Sequence, residues 1–422
     1  MMPGSLLVVA LVILLFGAIS RRAERSPLTP PMFFIAAGCL VSEHGLGLIE
    51  VDLSGDVVHA LTELTLVVVL FTDASRIDLA CLRREGGLPV RMLGMGLPLT
   101  MLFGTAAGFL LFPNFGWLEA ALLAAILAPT DAALGQAVVS NPLVPARIRQ
   151  TLNVESGLND GIALPVVLVL ASLAGATEAE GDVGHWLRFA VLAVTLGPGV
   201  GILVGWLGGR WLERGVAAGW VNVPFQRLSL LGLSLLAFAG AELVGGNGFI
   251  AAFVAGLTMG NVARNVCETL YQFGETEGQL LTLLVFLVFG AVLVPEAIEH
   301  FSWRVLLYSL LSLTLIRMAP VAISLVGSGL RVPSIAFLGW FGPRGLASIL
   351  FVLVVVEEGR LASGPLLEGI VVLTVFLSAM MHGATAYPFA RRYGAYVERN
   401  DTTIEDHEVV EMPVRVSHTE GA

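Results

Sequence analysis

The chain has 422 residues, 56% hydrophobic and only 13% charged, with a net charge of −10 at pH 7 and a mean hydropathy of +0.84. Soluble domains carry about 25% charged residues, so half the usual charge is absent and the composition is that of an integral membrane protein. The acidic balance excludes a nucleic-acid partner, and three scattered cysteines, Cys39, Cys81 and Cys267, suit neither a metal site nor a disulfide framework.

Hydropathy, with Arg, Pro and Gly as punctuation, predicts thirteen membrane spans in chain order. They fall near 4–20, 28–43, 57–75, 89–112, 117–139, 150–174, 186–209, 225–243, 247–262, 279–295, 304–327, 333–356 and 366–388. Their length of about twenty residues is that of a helix across a bilayer, about twice that of a barrel strand. The first run has no basic stretch before it and is followed by "RRAER", so it reads as a retained span rather than a signal peptide. No large soluble domain fits between the spans. A polar, acidic tail over 394–422, containing "ERNDTTIEDHEVVEM", is expected to be disordered.

The sequence contains no lysine, so orientation rests on its 23 arginines. With the N-terminus outside, all but five fall in one set of alternate loops or in the tail, among them Arg21, Arg83, Arg147, Arg210 and Arg391. Arg188, Arg304 and Arg360 lie on the other side, near acidic loops such as "ATEAEGD". The positive-inside rule therefore puts the N-terminus outside and the tail in the cytoplasm. The last two, Arg317 and Arg344, lie inside spans.

A charge at the centre of a membrane helix costs about 2.5–3.5 kcal/mol on insertion scales, so a chain that buries several either pairs them or uses them. Asp160 is ten residues into the sixth span and Asp131 fourteen into the fifth, while Arg317 and Arg344 are thirteen and eleven into the eleventh and twelfth. At about 1.5 Å per residue, all four fall near the midplane. In "NVESGLNDGIALP", Glu155 and Asn159 are an i,i+4 pair, as are Ser156 and Asp160, and the two stripes adjoin. One stripe can hold a carboxylate against an arginine, while the other offers a hydroxyl and a carboxylate to something else. Oxygen ligands without Cys or His suit a hard cation. A polar network that only joins helices is the alternative, and it needs no second carboxylate.

"LAPTDAALG" breaks the fifth span at Pro129, which has no N–H, and leaves carbonyls and Thr130 beside Asp131. "FGPRGLAS" interrupts the twelfth span with Gly342, Pro343 and Gly345. Spans 1–6 and 8–13 form two halves of opposite orientation, and each break falls in the fifth member of its half. Paired broken helices at corresponding positions point to a transporter's binding site. Where the half-helices meet, Asp131 can offset facing N-termini and Arg344 facing C-termini.

These motifs resemble the monovalent cation:proton antiporters, specifically the electroneutral sodium/proton antiporters of bacteria and archaea related to the animal sodium/proton exchangers. The Asn159–Asp160 pair in "ESGLNDG" is the most specific element, followed by "PTDA" and "GPRGLAS", with "GFIAAFVAGLTMGN" as a weaker one. The resemblance implies an all-α inverted-repeat bundle of about thirteen helices within 1–393. Its core would comprise about 89–174 and 304–388, and its scaffold and dimer helices about 4–75 and 186–295. It implies that Asp160 binds cation or proton in turn, with Ser156, Asp131 and Thr130 as further oxygen ligands. Asn159 would be the first member of the pair associated with one-for-one exchange, and Glu155 and Asn159 would be held by Arg317. Asp73 in "LFTDASRID" fits the acid that the family places at the cytoplasmic end of the third span, with a plain interfacial aspartate as the alternative. The expected partners are a monovalent cation, a proton, the lipid bilayer of a bacterial inner membrane and a second copy of the chain, with no cofactor, nucleotide or nucleic acid.

The expected function is antiport of sodium, or lithium, against protons, with potassium/proton exchange on the same framework as the rival. Desolvation raises the pKa of a carboxylate and a bound cation lowers it, so one site can carry either load but not both. An intramembrane aspartyl protease using Asp131 and Asp160 would leave the buried arginines and the matched breaks unexplained. A channel would call for a repeated filter loop, which is not visible. His59, His185 and His300 read as interfacial residues at the outer edge, and His382 as a packing or hydrogen-bonding residue.

Overall fold

The computed structural model describes residues 3–23, 26, 28–48, 56–178, 183–357, 361, 363–400 and 405. Its regular structure among these residues is entirely helical. Helices α1 (Pro3–Ala23), α2 (Pro30–Val41) and α3 (Asp56–Ser75) form the first three rods, followed by a short helix α4 (Leu79–Glu85). The fourth rod joins α5 (Gly87–Arg91) to α6 (Leu97–Leu111) through a wide π turn at Met92–Gly96. The fifth is split into α7 (Trp117–Ile126) and α8 (Ala132–Val139), and the sixth is α9 (Ala146–Glu178). Then come α10 (Val183–Ala217), α11 (Val223–Leu243), α12 (Gly248–Val262) and α13 (Arg264–Val288), the last continued through a second π turn at Phe289–Leu293 into α14 (Val294–Ala297). The eleventh rod is α15 (Trp303–Leu313) plus α16 (Leu315–Ser324), the twelfth α17 (Val332–Trp340) plus α18 (Leu346–Glu357), and the last is α19 (Gly364–Asn400). Each of the thirteen predicted spans corresponds to one of these rods.

Among the described residues, seven of the rods are long and apolar enough to cross a membrane, and α2, α7, α12 and α18 are shorter apolar segments. The chain is a multi-pass membrane protein. The large side chains exposed on α1 and α10 are of the kind a lipid surface takes, such as Leu7, Leu14, Ile202, Trp206 and Trp211.

Hydropathy located the rods better than their ends. Helix α13 begins at Arg264, well before the predicted span at 279, because Val266, Cys267 and Tyr271 form a buried face on an otherwise polar stretch. Helix α19 runs to Asn400, past the expected tail boundary at 394, with Tyr393 and Val397 buried. Hydropathy registers where a helix leaves lipid, not where its backbone bonding ends. The eleventh rod also carries a break that the sequence did not announce, at Thr314 (φ −116°, ψ −95°). There the hydroxyl donates to the Leu310 carbonyl at 2.6 Å, a side-chain bond that bends helices.

Close approach between rods depends on small residues. A Cβ at Gly256 or Gly260 of α12 would run into the backbone carbonyl of Phe71 or Ser75 on α3. The resulting α3–α12 contact also bears on α9, because the place of a Cβ on Gly161 is filled by the ring of Phe253. Of the tail expected to be disordered over 394–422, residues 394–400 are instead helical because α19 keeps a buried face there, Glu405 is buried, and the others lie outside the described residues.

Candidate functional site

The two broken rods meet at their breaks. Helix α7 ends at Ile126 ahead of Pro129, and the chain becomes helical again only after Asp131. The Asp131 N–H donates to the Pro343 carbonyl of the other break at 2.8 Å. One carboxylate oxygen of Asp131 accepts from the Leu134 N–H of α8 at 2.9 Å, and the other from the Leu346 N–H of α18 at 2.5 Å. One buried carboxyl group therefore caps two helix starts, where unsatisfied N–H groups carry a partial positive charge. Glycine at 345 permits this, since a Cβ there would lie inside the Asp131 carboxylate, 2.5 Å from its carbon.

Arg344 serves the opposite polarity. Its Nη1 donates to the carbonyls of Ala128 at 2.7 Å and Pro129 at 3.2 Å, just past the C-terminal end of α7. Two serines complete the junction. Ser348 Oγ donates to the Ile126 carbonyl at 2.7 Å, and Ser378 Oγ on α19 accepts from the Arg344 N–H at 2.7 Å. Sequence reasoning missed Ser378, because a serine in an apolar helix has no partner visible in one dimension. His382 lies one turn on, with Nδ1 2.9 Å from the Ser378 carbonyl and its ring 5.1 Å from that of Trp340.

Helix α9 brings its polar stretch to this junction. Glu155 and Arg317, each 1% exposed, form a two-pronged ion pair with Nη1–Oε1 at 2.5 Å and Nη2–Oε2 at 2.7 Å. Asn159 was expected on the same arginine and is not there. Its Nδ2 donates to Thr130 Oγ1 at 2.6 Å, since Glu155 takes both ends of the guanidinium and the short amide faces the unwound 127–131 segment. Thr130 Oγ1 is also 3.0 Å from Ser156 Oγ. The Asn159 Oδ1 atom is buried without a hydrogen-bond partner. Ser156 and Asp160, on the adjoining stripe, are only half-buried, whereas Glu155, Asn159, Thr130 and Asp131 are buried. The junction thus has a sealed interior bordered by a half-buried stripe that carries a hydroxyl and a carboxylate, one oxygen of which, Asp160 Oδ1, is itself buried.

Asp73 lies half-buried on α3, with its carbonyl 3.7 Å from the place of a Cβ on Gly157, the residue after Ser156. Asp78 stands apart from the junction. It caps α4 through the N–H groups of Ala80 at 2.8 Å and Cys81 at 3.0 Å and pairs with Arg264. His300 lines a separate cavity of about 190 Å³ with Glu296, Glu299 and Glu368. The surroundings of His59 and His185 lie outside the described residues. Among the described residues no cluster of three or more His, Cys, Asp or Glu side chains is placed to hold a metal ion. The oxygens at the junction are carboxylate, hydroxyl, amide and carbonyl oxygens, a set that suits a hard cation.

The chain is 26% identical over 369 residues to a protein named K(+)/H(+) antiporter NhaP2 from Shewanella sp. (strain MR-4), covering 85% of this chain and 62% of that protein. It has the same identity and coverage with a K(+)/H(+) antiporter NhaP from Alkalimonas amylolytica. The chain thus spans 62% of the length of these relatives. Among solved structures it resembles the sodium proton antiporter MjNhaP1 from Methanocaldococcus jannaschii at pH 8, with a TM-score of 0.71 at 21% identity, covering 90% of this chain and 96% of that one. Against the electron-microscopy map of the same protein the TM-score is 0.75 at 19% identity, covering 93% and 98%. The fold is therefore that of the sodium proton antiporters, and the sodium/hydrogen exchanger transmembrane model matches residues 9–392. By that match across nearly its whole length, the chain belongs to the sodium/hydrogen exchanger family.

Proposed function

We propose that this chain is a secondary active transporter that exchanges one monovalent cation for one proton, with Asp160 binding each in turn. The observation that carries this reading is the half-buried stripe at the border of the junction. Ser156 and Asp160 lie on it, and Thr130 bonds both Ser156 and Asn159, with the Asn159 carbonyl oxygen left over. Thr130 and Ser156 supply hydroxyl oxygens, and Asp73 lies near the same helix face as an approach residue. Asp131 spends its oxygens on helix starts, so we assign it first to holding the junction and second to the ion.

Formal charge explains the one-for-one ratio. The charged set at the junction is Glu155, Asp131 and Asp160 against Arg317 and Arg344, so it carries one net negative charge when Asp160 is ionised. One proton or one monovalent cation brings it to zero. Both loaded forms then cross a low-dielectric region equally well, and the charged empty form is held back. Exchange follows without ATP.

The moving body in this proposal is α5 to α9 with α15 to α19, working against α1 to α3 and α10 to α14. The contacts of Gly157 and Gly161 with α3 and α12 lie on that boundary. We further infer a homodimer in the bacterial inner membrane, with the N-terminus outside and the tail in the cytoplasm. Sodium is our first reading of the ion, in line with the sodium proton antiporter whose fold the chain shares. Potassium is the second, favoured by the names of the relatives.

The test is dye-reported proton movement in liposomes holding the purified protein, wild type beside Asp160→Asn, given sodium, potassium and lithium in turn. Cation-driven proton movement that is insensitive to membrane potential and absent in the variant is the expected result. Equal activity in both proteins would remove Asp160 from the mechanism.

A further inference from the structure

Helix α17 starts without a cap of its own. Its N-cap residue, Arg331, makes no side-chain capping bond, and the first turn of any helix leaves N–H groups unsatisfied. The partner comes from far along the chain. Glu405 Oε1 accepts from the Arg331 N–H at 3.1 Å and from Ser334 Oγ at 2.8 Å. Ser334 Oγ in turn accepts from Tyr393 OH at 2.9 Å, and the Tyr393 ring stacks on Phe337 with centroids 4.4 Å apart. Glu405 is 2% exposed, Ser334 0% and Tyr393 5%. A solvated charge run gives no reason for one of its carboxylates to be buried on two converging donors.

We propose that the start of α17, with Ser334 and Tyr393, is a binding site for a carboxylate-bearing peptide segment, and that its ligand is the chain's own acidic tail through Glu405. The chemistry suits that class of ligand. A backbone N–H and a hydroxyl converge on one oxygen, the helix start adds partial positive charge, and Tyr393 fixes the hydroxyl. The tail leaves α19 at Asn400, close enough in sequence for Glu405 to return to Tyr393 on the same helix.

The site has a consequence for the junction. Nine residues of α17 separate it from the Phe341–Gly345 break that carries Arg344, a length of about 13 Å at 1.5 Å per residue. Docking of the tail therefore anchors the outer end of the half-helix whose inner end forms the crossing. This part of the inference rests on the antiport reading; the docking itself does not.

The experiment measures backbone hydrogen exchange over residues 331–335 in four purified full-fold proteins: wild type, Glu405→Ala, a chain ending at Asn400, and Glu408→Ala as the neighbouring-acid control. Exchange about fivefold faster in Glu405→Ala and in the shortened chain, the factor expected of a lost helix cap, with Glu408→Ala like wild type, supports the site. Equal exchange in all four, or an equal effect of Glu408→Ala, overturns it. Cation-driven proton flux is then read on the same proteins. A several-fold slower flux in the first two variants supports the link to the crossing, and unchanged flux beside lost protection overturns that link. No flux in wild type would count against the antiport reading and leave the exchange result standing.

Discussion

The carboxylate of Asp131 and the N–H of Leu346 stand 2.5 Å apart across 215 residues of chain, while the second oxygen of Asp131 caps its own helix at Leu134. Losing a cap costs about 0.5–2 kcal/mol per helix start. Asp131→Ala should therefore lower stability about twice as much as loss of a single cap, seen as a lower melting temperature in detergent. Asp131→Asn keeps one acceptor oxygen and should fall in between. Gly345→Ala should match Asp131→Ala, because its methyl displaces the same carboxylate. A normal melting temperature for Gly345→Ala would show that the junction has room the geometry denies it.

Glu155 and Arg317 provide a test of pairing against mere polarity. Removing one member of a buried pair leaves an uncompensated charge and costs about 3–5 kcal/mol, whereas replacing both with apolar groups of similar volume is often close to neutral. Glu155→Leu and Arg317→Met should each unfold the protein at markedly lower temperature, and the double variant should recover much of the loss. Additive single effects in the melting curves would mean that the two side chains act independently.

The parts legible in the sequence were those fixed by local chemistry. Pro129 and Pro343 lack an N–H in any fold, so the breaks could be read before their meeting was seen. The charges at Glu155, Asp160, Arg317 and Arg344 were legible because burying them is costly. Partner choice was not. Whether Asn159 turns to Arg317 or to Thr130 depends on which rod lies closer, and the answer was Thr130. The break at Thr314 carries no Gly or Pro, and Glu405 sits in a charge run that composition assigns to solvent. The early start of α13 was hidden because a polar helix with one apolar face scores poorly on average hydropathy.

Thr130 joins Asn159 to Ser156 through a single hydroxyl. Thr130→Val keeps the shape and removes that hydroxyl, leaving a buried amide donor unsatisfied at a cost of about 1–3 kcal/mol. If the hydroxyl helps to hold the cation, the loss appears in cation affinity, and 1.4 kcal/mol is a tenfold change. The apparent KM for the cation should rise about tenfold or more, with Thr130→Ser close to wild type. An unchanged KM with a lower melting temperature would make Thr130 a structural residue only.

Asp78 lies outside the membrane spans, where pH acts directly. Burial pushes its carboxyl pKa upward, but the hydrogen bond from Arg264, those from the Cys81 and Ala80 N–H groups and the Arg264 charge together hold it below the ordinary carboxylate value. A group whose pKa is lower folded than unfolded contributes stability above its unfolded pKa and loses it as pH falls through the folded one. Asp78→Ala, which removes both the α4 cap and the pair with Arg264, should thus be less stable than wild type by about 1 kcal/mol at neutral pH. The gap should stay constant from pH 8 down to about pH 5 and close only below the ordinary carboxylate range near 4. Melting temperatures of the two proteins across that range decide the matter, and a gap that widened on acidification would reverse the sign argued here.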